Sequence, residues 1–446
     1  MINKENWLRL RFMFLVLLLG FVVLSIGGYN SLWSNDWVKD GDVISGSSAP
    51  TQPDSRLLAE PPGPPPRLPP GPPSILPREM PPAVPPWVLP GPPAPPTFSK
   101  IAAGYEHTIV IRTDGTLWAW GENASGQLGD GTYIHRDLPT QIGINTDWIS
   151  IAAGYAHTLA IKENGTLWAW GNNGTGQLGN GTYVNKNTPI QIGVDTDWLT
   201  IAGGQYHSVA LKTDGTLWSW GFNSNGQLGD GTYIDKNTPS HIGTDSNWAA
   251  IATGGWHTLA LKTDGTLWVW GWNLYGQVGD ATFVVNRNTP VQIGTETNWS
   301  VIAGGSLYTL ALKKDNTLWA WGSHPGSIDE PIPNRYTPRQ IGTDTNWRSI
   351  TAGDHHTLAL KIDNTLWGWG SNGSGQLGNG TWGGWEKNLI QIGSDSDWST
   401  IAAGGLHSIA LKTNETLWTW GENYYGQLGD GTNISKNIPT QIKRVR

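Results

Sequence analysis

One phrase, Thr-Leu-Trp-x-Trp-Gly, recurs seven times between Phe98 and Ile442, and it constrains the fold more than any other feature of the sequence. Successive copies begin 50, 50, 50, 51, 48 and 51 residues apart. A repeat of about 40 to 50 residues made of strand-like segments is typical of a propeller. Such a unit buries its apolar surface only by stacking on its neighbours. The copies lie at residues 116–121, 166–171, 216–221, 266–271, 317–322, 365–370 and 416–421.

Each unit reads as four strands, which the second copy illustrates. Residues 147–154 form a short first strand, and residues 157–162 alternate as a second. The Asn-Gly pair at 164–165 is typical of a tight hairpin turn. Residues 166–170 form the third strand, with both tryptophans on one side because side chains alternate along a strand. A Gly- and Asn-rich connection leads to a fourth strand at 189–192, and the whole pattern predicts an all-β, seven-bladed β-propeller.

The tryptophans predict how the blades pack. Half of the 28 tryptophans lie in the Trp-x-Trp pairs, and the residue inside the pair is small at Ala119, Ala169, Ser219 and Gly368. We expect the rings of one blade to interdigitate with small residues of the adjacent blade. The first strand is rich in Ala and Gly, as at residues 202–204, and suits the crowded centre of the ring.

The repeat unit also carries a family resemblance. Residues 202–232 run from Ala-Gly-Gly through His-Ser-Val-Ala-Leu-Lys to Gly-Gln-Leu-Gly-Asp-Gly-Thr. This pattern resembles the repeat of the regulator-of-chromosome-condensation family, in its alpha-tubulin-suppressor-like bacterial branch. The resemblance implies a seven-bladed propeller, a scaffold that the family uses for guanine-nucleotide exchange, chromatin docking, enzyme inhibition and other protein contacts. A shared fold does not decide among these functions.

Residues 1–27 carry a targeting pattern. Lys4, Arg9 and Arg11 precede an apolar run at residues 12–26. The run suits a signal-peptide core and is shorter than the roughly 20 residues that a relaxed transmembrane helix needs. We predict a signal anchor or a cleaved signal peptide, with a buried helix as a third alternative. Because positive charges stay inside, either of the first two puts the propeller outside the cytoplasm, at the cell membrane on a single pass or secreted.

A proline-rich stalk at residues 28–97 follows the targeting segment. It holds 21 prolines between Pro50 and Pro96. Such a segment favours the polyproline II conformation and forms no packed core. At about 3.1 Å per residue the stretch from Pro50 to Pro96 extends roughly 140 Å as a semi-rigid spacer. The alternative is a ligand for proline-binding grooves, so the predicted domains are this stalk, the targeting segment and a propeller at residues 98–446.

The sequence predicts no enzyme, no cofactor and no metal site. One repeat position carries histidine in six units, and such regularity is typical of a structural residue bonded to the backbone of its own blade. The Asp-Gly pairs, such as Asp130-Gly131, lack the alternating acidic ligands of a calcium loop. A net charge of −7 argues against a nucleic-acid partner. The histidines are His107, His157, His207, His257, His356 and His407.

The fifth unit departs from the others. Tyr308 occupies the histidine position, and residues 322–331 replace the regular Gly-Gln-Leu-Gly-Asp-Gly-Thr connection. The departure indicates either a binding specialisation or sequence drift.

Function is expected where the units differ from one another. The loop between strands one and two and the connection after strand three emerge on the same face, because antiparallel strands alternate in direction. These variable segments are rich in aromatic residues, which dominate interface hot spots. We expect rings from the third and fourth units to be neighbours, and the alternative is that such rings pack between blades. The predicted partner-binding residues are Tyr105, Tyr155, Tyr206, Phe222, Trp256, Trp272, Tyr275, Tyr424 and Tyr425.

These observations predict a non-enzymatic, exported or membrane-anchored scaffold with a monomeric propeller that binds a protein through one aromatic-rich face. One alternative is a propeller that binds glycan or cell wall, because aromatic rings also stack on sugars. A second alternative, implied by the family resemblance, is a guanine-nucleotide exchange factor for a small GTPase.

Overall fold

The computed structural model describes residues 97–282, 284–324 and 336–443, and these residues form a seven-bladed β-propeller without helices. Seven four-stranded antiparallel sheets follow one another along the chain, which confirms the fold that the repeat predicts. The targeting segment at residues 1–27 and the proline-rich stalk, apart from Thr97, lie outside the described residues.

Each blade consists of four consecutive strands, hydrogen-bonded in chain order, so the blade boundaries coincide with the repeat boundaries. Blades one to four comprise β1 (Phe98–Ala103), β2 (His107–Arg112), β3 (Leu117–Gly121), β4 (Arg136–Gln141), β5 (Trp148–Ala153), β6 (His157–Lys162), β7 (Leu167–Gly171), β8 (Lys186–Gln191), β9 (Trp198–Gly203), β10 (His207–Lys212), β11 (Leu217–Gly221), β12 (Lys236–His241), β13 (Trp248–Thr253), β14 (His257–Lys262), β15 (Leu267–Gly271) and β16 (Arg287–Gln292). Blades five to seven comprise β17 (Trp299–Gly304), β18 (Tyr308–Lys313), β19 (Leu318–Gly322), β20 (Arg339–Gln340), β21 (Trp347–Ala352), β22 (His356–Lys361), β23 (Leu366–Ser371), β24 (Trp385–Gln391), β25 (Trp398–Ala403), β26 (His407–Lys412), β27 (Leu417–Gly421) and β28 (Lys436–Gln441).

The first strands line the centre and close the ring. β1 contacts β5, β5 contacts β9, and the series continues to β25, which contacts β1. The junction between blades seven and one contains the same kind of hydrogen bond as the junction between blades one and two. Thr108 Oγ1 donates to the carbonyl oxygen of Gln427 at 2.8 Å, just as Thr158 Oγ1 donates to that of Gln127 at 2.9 Å. The Ala- and Gly-rich strands therefore occupy the crowded centre, as predicted.

Tryptophans hold adjacent blades together. Trp170 of blade two is fully buried against Ala119 and Leu128 of blade one, which confirms the predicted packing of large rings on small residues. Trp148 meets Trp170 edge-on, with ring centroids 6.2 Å apart. Burying one tryptophan removes about 150–250 Å² from water and stabilises by roughly 4–6 kcal/mol. Gly129 must be glycine, because its φ is +78° and a Cβ would lie 2.7 Å from Trp170 Nε1.

The repeated histidines join neighbouring blades, so the expectation that each ring bonds the backbone of its own blade is wrong. His157 Nε2 lies 3.0 Å from Ser208 Oγ of the next blade. Because Ser208 Oγ donates its hydrogen to the carbonyl oxygen of Gln177 at 2.8 Å, His157 Nε2 must carry the proton and donate. The same contact recurs at the other five histidines, and Tyr308 substitutes with its hydroxyl 3.0 Å from Thr357 Oγ1.

One end of every blade is a repeated polar framework, here called the framework face. It consists of the turns between the second and third strands and the links between blades. In blade three, Asp214 Oδ1 accepts hydrogen bonds from the backbone and side chain of Thr216, at 2.9 and 2.7 Å. Lys212 Nζ lies 4.8 Å from the ring centroids of Trp198 and Trp218. These contacts explain why the turn sequence is nearly invariant among the units.

Candidate protein-docking face

The variable loops meet at the opposite end of the blades, here called the loop face. It consists of the loop between the first and second strands of each blade and the connection between the third and fourth. Within a blade the two segments are hydrogen-bonded. The backbone nitrogen of Phe222 donates to the carbonyl oxygen of Tyr206, and that of Trp272 donates to that of Trp256, both at 2.9 Å. The predicted common face is therefore confirmed.

Four of the predicted rings follow one another around the centre of this face. Tyr105 stacks on Tyr155 with centroids 4.3 Å apart, and Tyr155 stacks on Tyr206 at 5.6 Å. Tyr206 contacts Trp256 at 5.5 Å. We call Tyr105, Tyr155, Tyr206 and Trp256 the aromatic arc. It spans blades one to four, because each ring comes from the first loop of successive blades.

The connections of blades three and four extend the arc outward. Phe222 and Trp272 contact Trp256 edge-on, with centroids 5.7 and 6.3 Å away. Tyr275 contacts Trp272 at 5.7 Å and is 40% exposed. The rings of units three and four are therefore neighbours, as predicted from the strand directions. Those named here other than Tyr275 are half-buried, which leaves part of each ring available to a partner.

The remaining two predicted rings form a pair at the junction of blades seven and one. Tyr424 and Tyr425 have centroids 4.9 Å apart, and Tyr425 also contacts His135 at 4.9 Å. Tyr424 is the most exposed of the predicted rings, at 71%. The structure thus divides the nine predicted residues between a seven-ring cluster and this pair. Binding by any of them stays a prediction.

Carboxylates near the arc were not among the predicted site residues. Burial, and then the charges of Glu122 and Glu422, raise the pKa of Glu106 to about 7. Burial raises the pKa of Asp354 to about 6, although the Tyr105 hydroxyl donates a hydrogen bond to it. These residues are far apart in the sequence and come together because blade seven closes on blade one. In the sequence, the only indication of these carboxylates is that acidic residues are scattered among the variable positions.

Exposed apolar residues on the outer connections were also missed. They follow the regular Gly-Asp-Gly-Thr segment, so they repeat among units and resemble framework in the sequence. Each is at least 50% exposed in the structure. They include Tyr133, Ile134, Tyr183, Val184, Tyr233, Ile234, Val284, Val285, Trp382 and Ile434.

The centre of the ring offers little space for a small ligand. A cavity of about 130 Å³ is lined by the Gly-rich ends of the first strands together with Tyr105, Tyr155 and Asp354. Ligand pockets usually enclose about 300–1,000 Å³. Within residues 97–282, 284–324 and 336–443, no three His, Cys, Asp or Glu side chains are grouped to hold a metal. The same ranges contain no helix that is long and apolar enough to span a membrane.

The Asp-Gly-Thr connections use their carboxylates internally. Asp130 Oδ1 accepts hydrogen bonds from the backbone of Thr132 at 2.9 Å and from its hydroxyl at 2.7 Å. Asn123 Nδ2 donates to the same oxygen at 3.1 Å. The opposite carboxylate oxygen of Asp130 pairs with Arg136. The Asp130 connection is therefore held as a fixed polar loop, and the equivalent contacts recur at Asp230, Asp280 and Asp430.

A closed ring of seven repeat blades that presents its variable loops on one side is a protein-interaction fold. The sequence profile of the RCC1-like domain matches residues 77–326 and 200–446, and the chain belongs to the RCC1-like domain family.

Related sequences match only in part. The chain is 28% identical over 145 residues to the RCC1 domain-containing protein RUG3, mitochondrial, of Arabidopsis thaliana, and 37% identical over 73 residues to the ultraviolet-B receptor UVR8 of the same plant. The matches cover 32% and 16% of this chain, and the chain spans only 22% and 16% of those two proteins.

Solved structures share the fold over most of the propeller. Human WBSCR16 superposes with a TM-score of 0.67 at 22% identity, over 74% of this chain and 94% of that one. Yeast RCC1 (Prp20), in its complex with Kap60, superposes with a TM-score of 0.66 at 24% identity, over 78% of this chain and 85% of that one. At these identities the likeness concerns the fold alone.

Proposed function

We propose that this protein is a non-enzymatic scaffold that binds another protein through the aromatic arc and its neighbouring rings. The single observation that carries the proposal is the contiguous run of seven aromatic rings in variable loops, outside the tryptophan-packed core. Clusters of partly exposed aromatic residues mark interaction sites, because they supply contact area at low entropic cost. Yeast Prp20p, which has the same fold, binds Gsp1p and histones, which supports a protein partner.

The strand directions place the start of the first strand and the end of the last strand on the framework face. β1 starts at Phe98 on the framework face and runs toward the loop face, because the β1–β2 loop lies there. β28 starts on the loop face and ends at Gln441 on the framework face. The framework face therefore holds the first residue of β1 and the last residue of β28, opposite the rings of the loop face.

The proposed location is extracytoplasmic, with the propeller anchored at the cell membrane or secreted. The support is the charged and apolar pattern of residues 1–27. Protease treatment of intact cells tests it. Digestion of the propeller in intact cells supports the location, whereas protection until the cells are lysed contradicts it and strengthens the exchange-factor alternative.

Affinity capture with the full chain tests the docking face. Trp256→Ala and Trp272→Ala should each weaken partner binding by about 30-fold, the effect of losing about 2 kcal/mol at a hot spot. The matched control is Trp268→Ala, because Trp268 packs against the core ring of Trp248 with centroids 5.9 Å apart. We expect this control to lower the melting temperature, and the two loop variants to leave it nearly unchanged.

The result that contradicts the proposal is a loss of stability in the loop variants as large as in Trp268→Ala. The glycan alternative is less favoured, because Tyr105 and Tyr155 cover each other's faces and sugars stack on free ring faces. Capture of a polysaccharide or of a small GTPase by the loop face would support the corresponding alternative instead.

A further inference from the structure

Several acidic side chains lie beside the aromatic arc. Glu106 follows Tyr105 in the first loop of blade one, and Glu122 faces it across the hydrogen bond from the Glu122 nitrogen to the Glu106 carbonyl oxygen, at 2.8 Å. Glu422 holds the equivalent position in blade seven. Asp354, from blade six, accepts a hydrogen bond from the Tyr105 hydroxyl. Three of these carboxylates act on Tyr105, and the fourth, Glu122, acts on Glu106 and Tyr155, so four carboxylates from three blades lie beside the start of the arc.

Two cations near this face, one in blade one and one in blade seven, are engaged elsewhere. The outer strand begins with Arg136 in blade one and Lys436 in blade seven, and each pairs with an aspartate of its own connection, the lysine at 3.4 Å from Asp430. Among the described residues, Glu106, Glu122, Glu422 and Asp354 form no ion pair with lysine or arginine.

This arrangement costs stability. The raised pKa values of Glu106 and Asp354 mean that the fold disfavours their charged forms. On the framework face, by contrast, carboxylates are paired with cations, as in the 2.7 Å contact of Asp195 with Lys212. Carboxylates whose pKa is raised by burial and by neighbouring charges are common at functional sites. Within the chain, Glu122 and Glu422 accept hydrogen bonds from Gln127 and Gln427, and an external cation would add the opposite charge that the described lysines and arginines do not supply.

We propose that the loop face binds an arginine-bearing basic segment of a partner protein, with a guanidinium group seated between the aromatic arc and the carboxylates around Tyr105. The inference rests on the proposed function and names the chemistry of the partner. A guanidinium is planar and donates paired hydrogen bonds to carboxylates in a fixed geometry. Lysine offers only a compact, strongly hydrated charge, so we infer a preference for arginine.

Other occupants fit the charges less well. Phosphate-bearing ligands and nucleic acids would bring negative charge to a negative surface. A second copy joined face to face would bring its own Glu106 and Asp354 near those of the first, because a two-fold interface uses the same patch on both subunits. Like charges in such contact cost several kcal/mol.

Titration calorimetry of the full chain with a peptide of alternating glycine and arginine measures the interaction directly. The same peptide with citrulline in place of arginine keeps the shape and hydrogen-bonding amides but removes the charge. We expect the citrulline peptide to bind at least about tenfold more weakly, and a lysine version to lie between the two. Equal affinity of all three peptides, or no measurable binding of the arginine peptide, would overturn the inference.

Three variants separate a binding role from a structural one. Asp354→Asn keeps an acceptor for the Tyr105 hydroxyl, and Glu106→Gln preserves side-chain size. Each should weaken the arginine peptide about tenfold and leave the melting temperature unchanged or higher, since an unfavourable charge is removed. Glu163→Gln, an exposed carboxylate on the framework face, should change neither quantity. A lowered melting temperature in both loop-face variants with unchanged affinity contradicts the proposed role.

The outcomes distinguish this inference from the proposed function. Partner capture that depends on Trp256 and Trp272 supports the docking face. If the arginine and citrulline peptides nevertheless bind with equal affinity, the proposed specificity for a cation is wrong. If the arginine peptide binds with the same affinity to the parent and to the charge variants, it occupies another surface, and the inference is wrong.

Discussion

Acidification should unfold this propeller steeply because of its six buried histidines. Burial, the largest cause in every case, lowers the pKa of His107, His207, His257 and His356 to about 3, and that of His157 and His407 to about 4. The unfolded value is near 6.5. A lowered folded pKa means that the unfolded chain binds more protons in the interval between the two values. The stability contributed by the neutral rings is therefore complete above about pH 6.5 and is lost as the pH falls toward 4.

The size of this loss in unfolding free energy follows from proton linkage. At pH 5 each ring lies about 1.5 units below its unfolded pKa, which costs roughly 2 kcal/mol of unfolding free energy. Six rings cost about 12 kcal/mol together, comparable to the whole stability of a typical domain at about 5–15 kcal/mol. Glu106 and Asp354 act in the opposite direction, because their folded pKa values are raised. Both are partly exposed, and they offset about two of the six protons at most.

Urea unfolding followed by tryptophan fluorescence at about pH 7, 6 and 5 measures this linkage. We expect the free energy of unfolding to fall with a slope equivalent to a net uptake of about four protons between pH 6 and 5. His157→Gln keeps a side-chain donor for Ser208 Oγ and removes one titrating ring, so it should lower the uptake by about one proton. Stability that is constant from pH 7 to 5, or an uptake below about two protons, would refute the reasoning.

Three further perturbations probe the fold. Gly129→Ala should cost about 3 kcal/mol or more, because the new Cβ would meet a buried tryptophan, whereas Gly143→Ala, with a φ of +65° and open space, should cost only about 1 kcal/mol in urea unfolding. Deleting residues 198–247, one complete unit, should abolish cooperative thermal unfolding because the ring no longer closes; a deletion variant as stable as the parent would indicate an open array. Lys212→Met removes a cation held against two tryptophan rings and two aspartates, and should lower stability by about 1–3 kcal/mol, with a smaller loss in high salt.

Much of the fold was predictable because the residues that pack one blade against the next recur within each repeat. The Trp-x-Trp pair and the small residue inside it predict that Trp170 packs on Ala119, although the inner residue is the larger Val269 or Thr419 in units four and seven. The common loop face follows from strand alternation alone, so the meeting of Trp256 with Trp272 was also predictable. The irregular fifth unit shows in the structure as a fourth strand of only two residues, β20. The choice between specialisation and drift stays open, because residues 325–335 lie outside the described residues.

The sequence by itself determined the class of fold, the number of blades and the face on which the units differ, whereas the structure decided that the blade boundaries coincide with the repeat boundaries. These properties are local or periodic, and a single unit already contains them. Only the tertiary structure decided that His157 bonds Ser208 of the next blade, and that Glu106, Glu422 and Asp354 converge beside Tyr105. Contacts of this kind depend on the angle between blades and on the closing of blade seven against blade one. Glu106 lies 248 residues from Asp354 and 316 residues from Glu422 along the chain, and no pattern within one repeat encodes such neighbours.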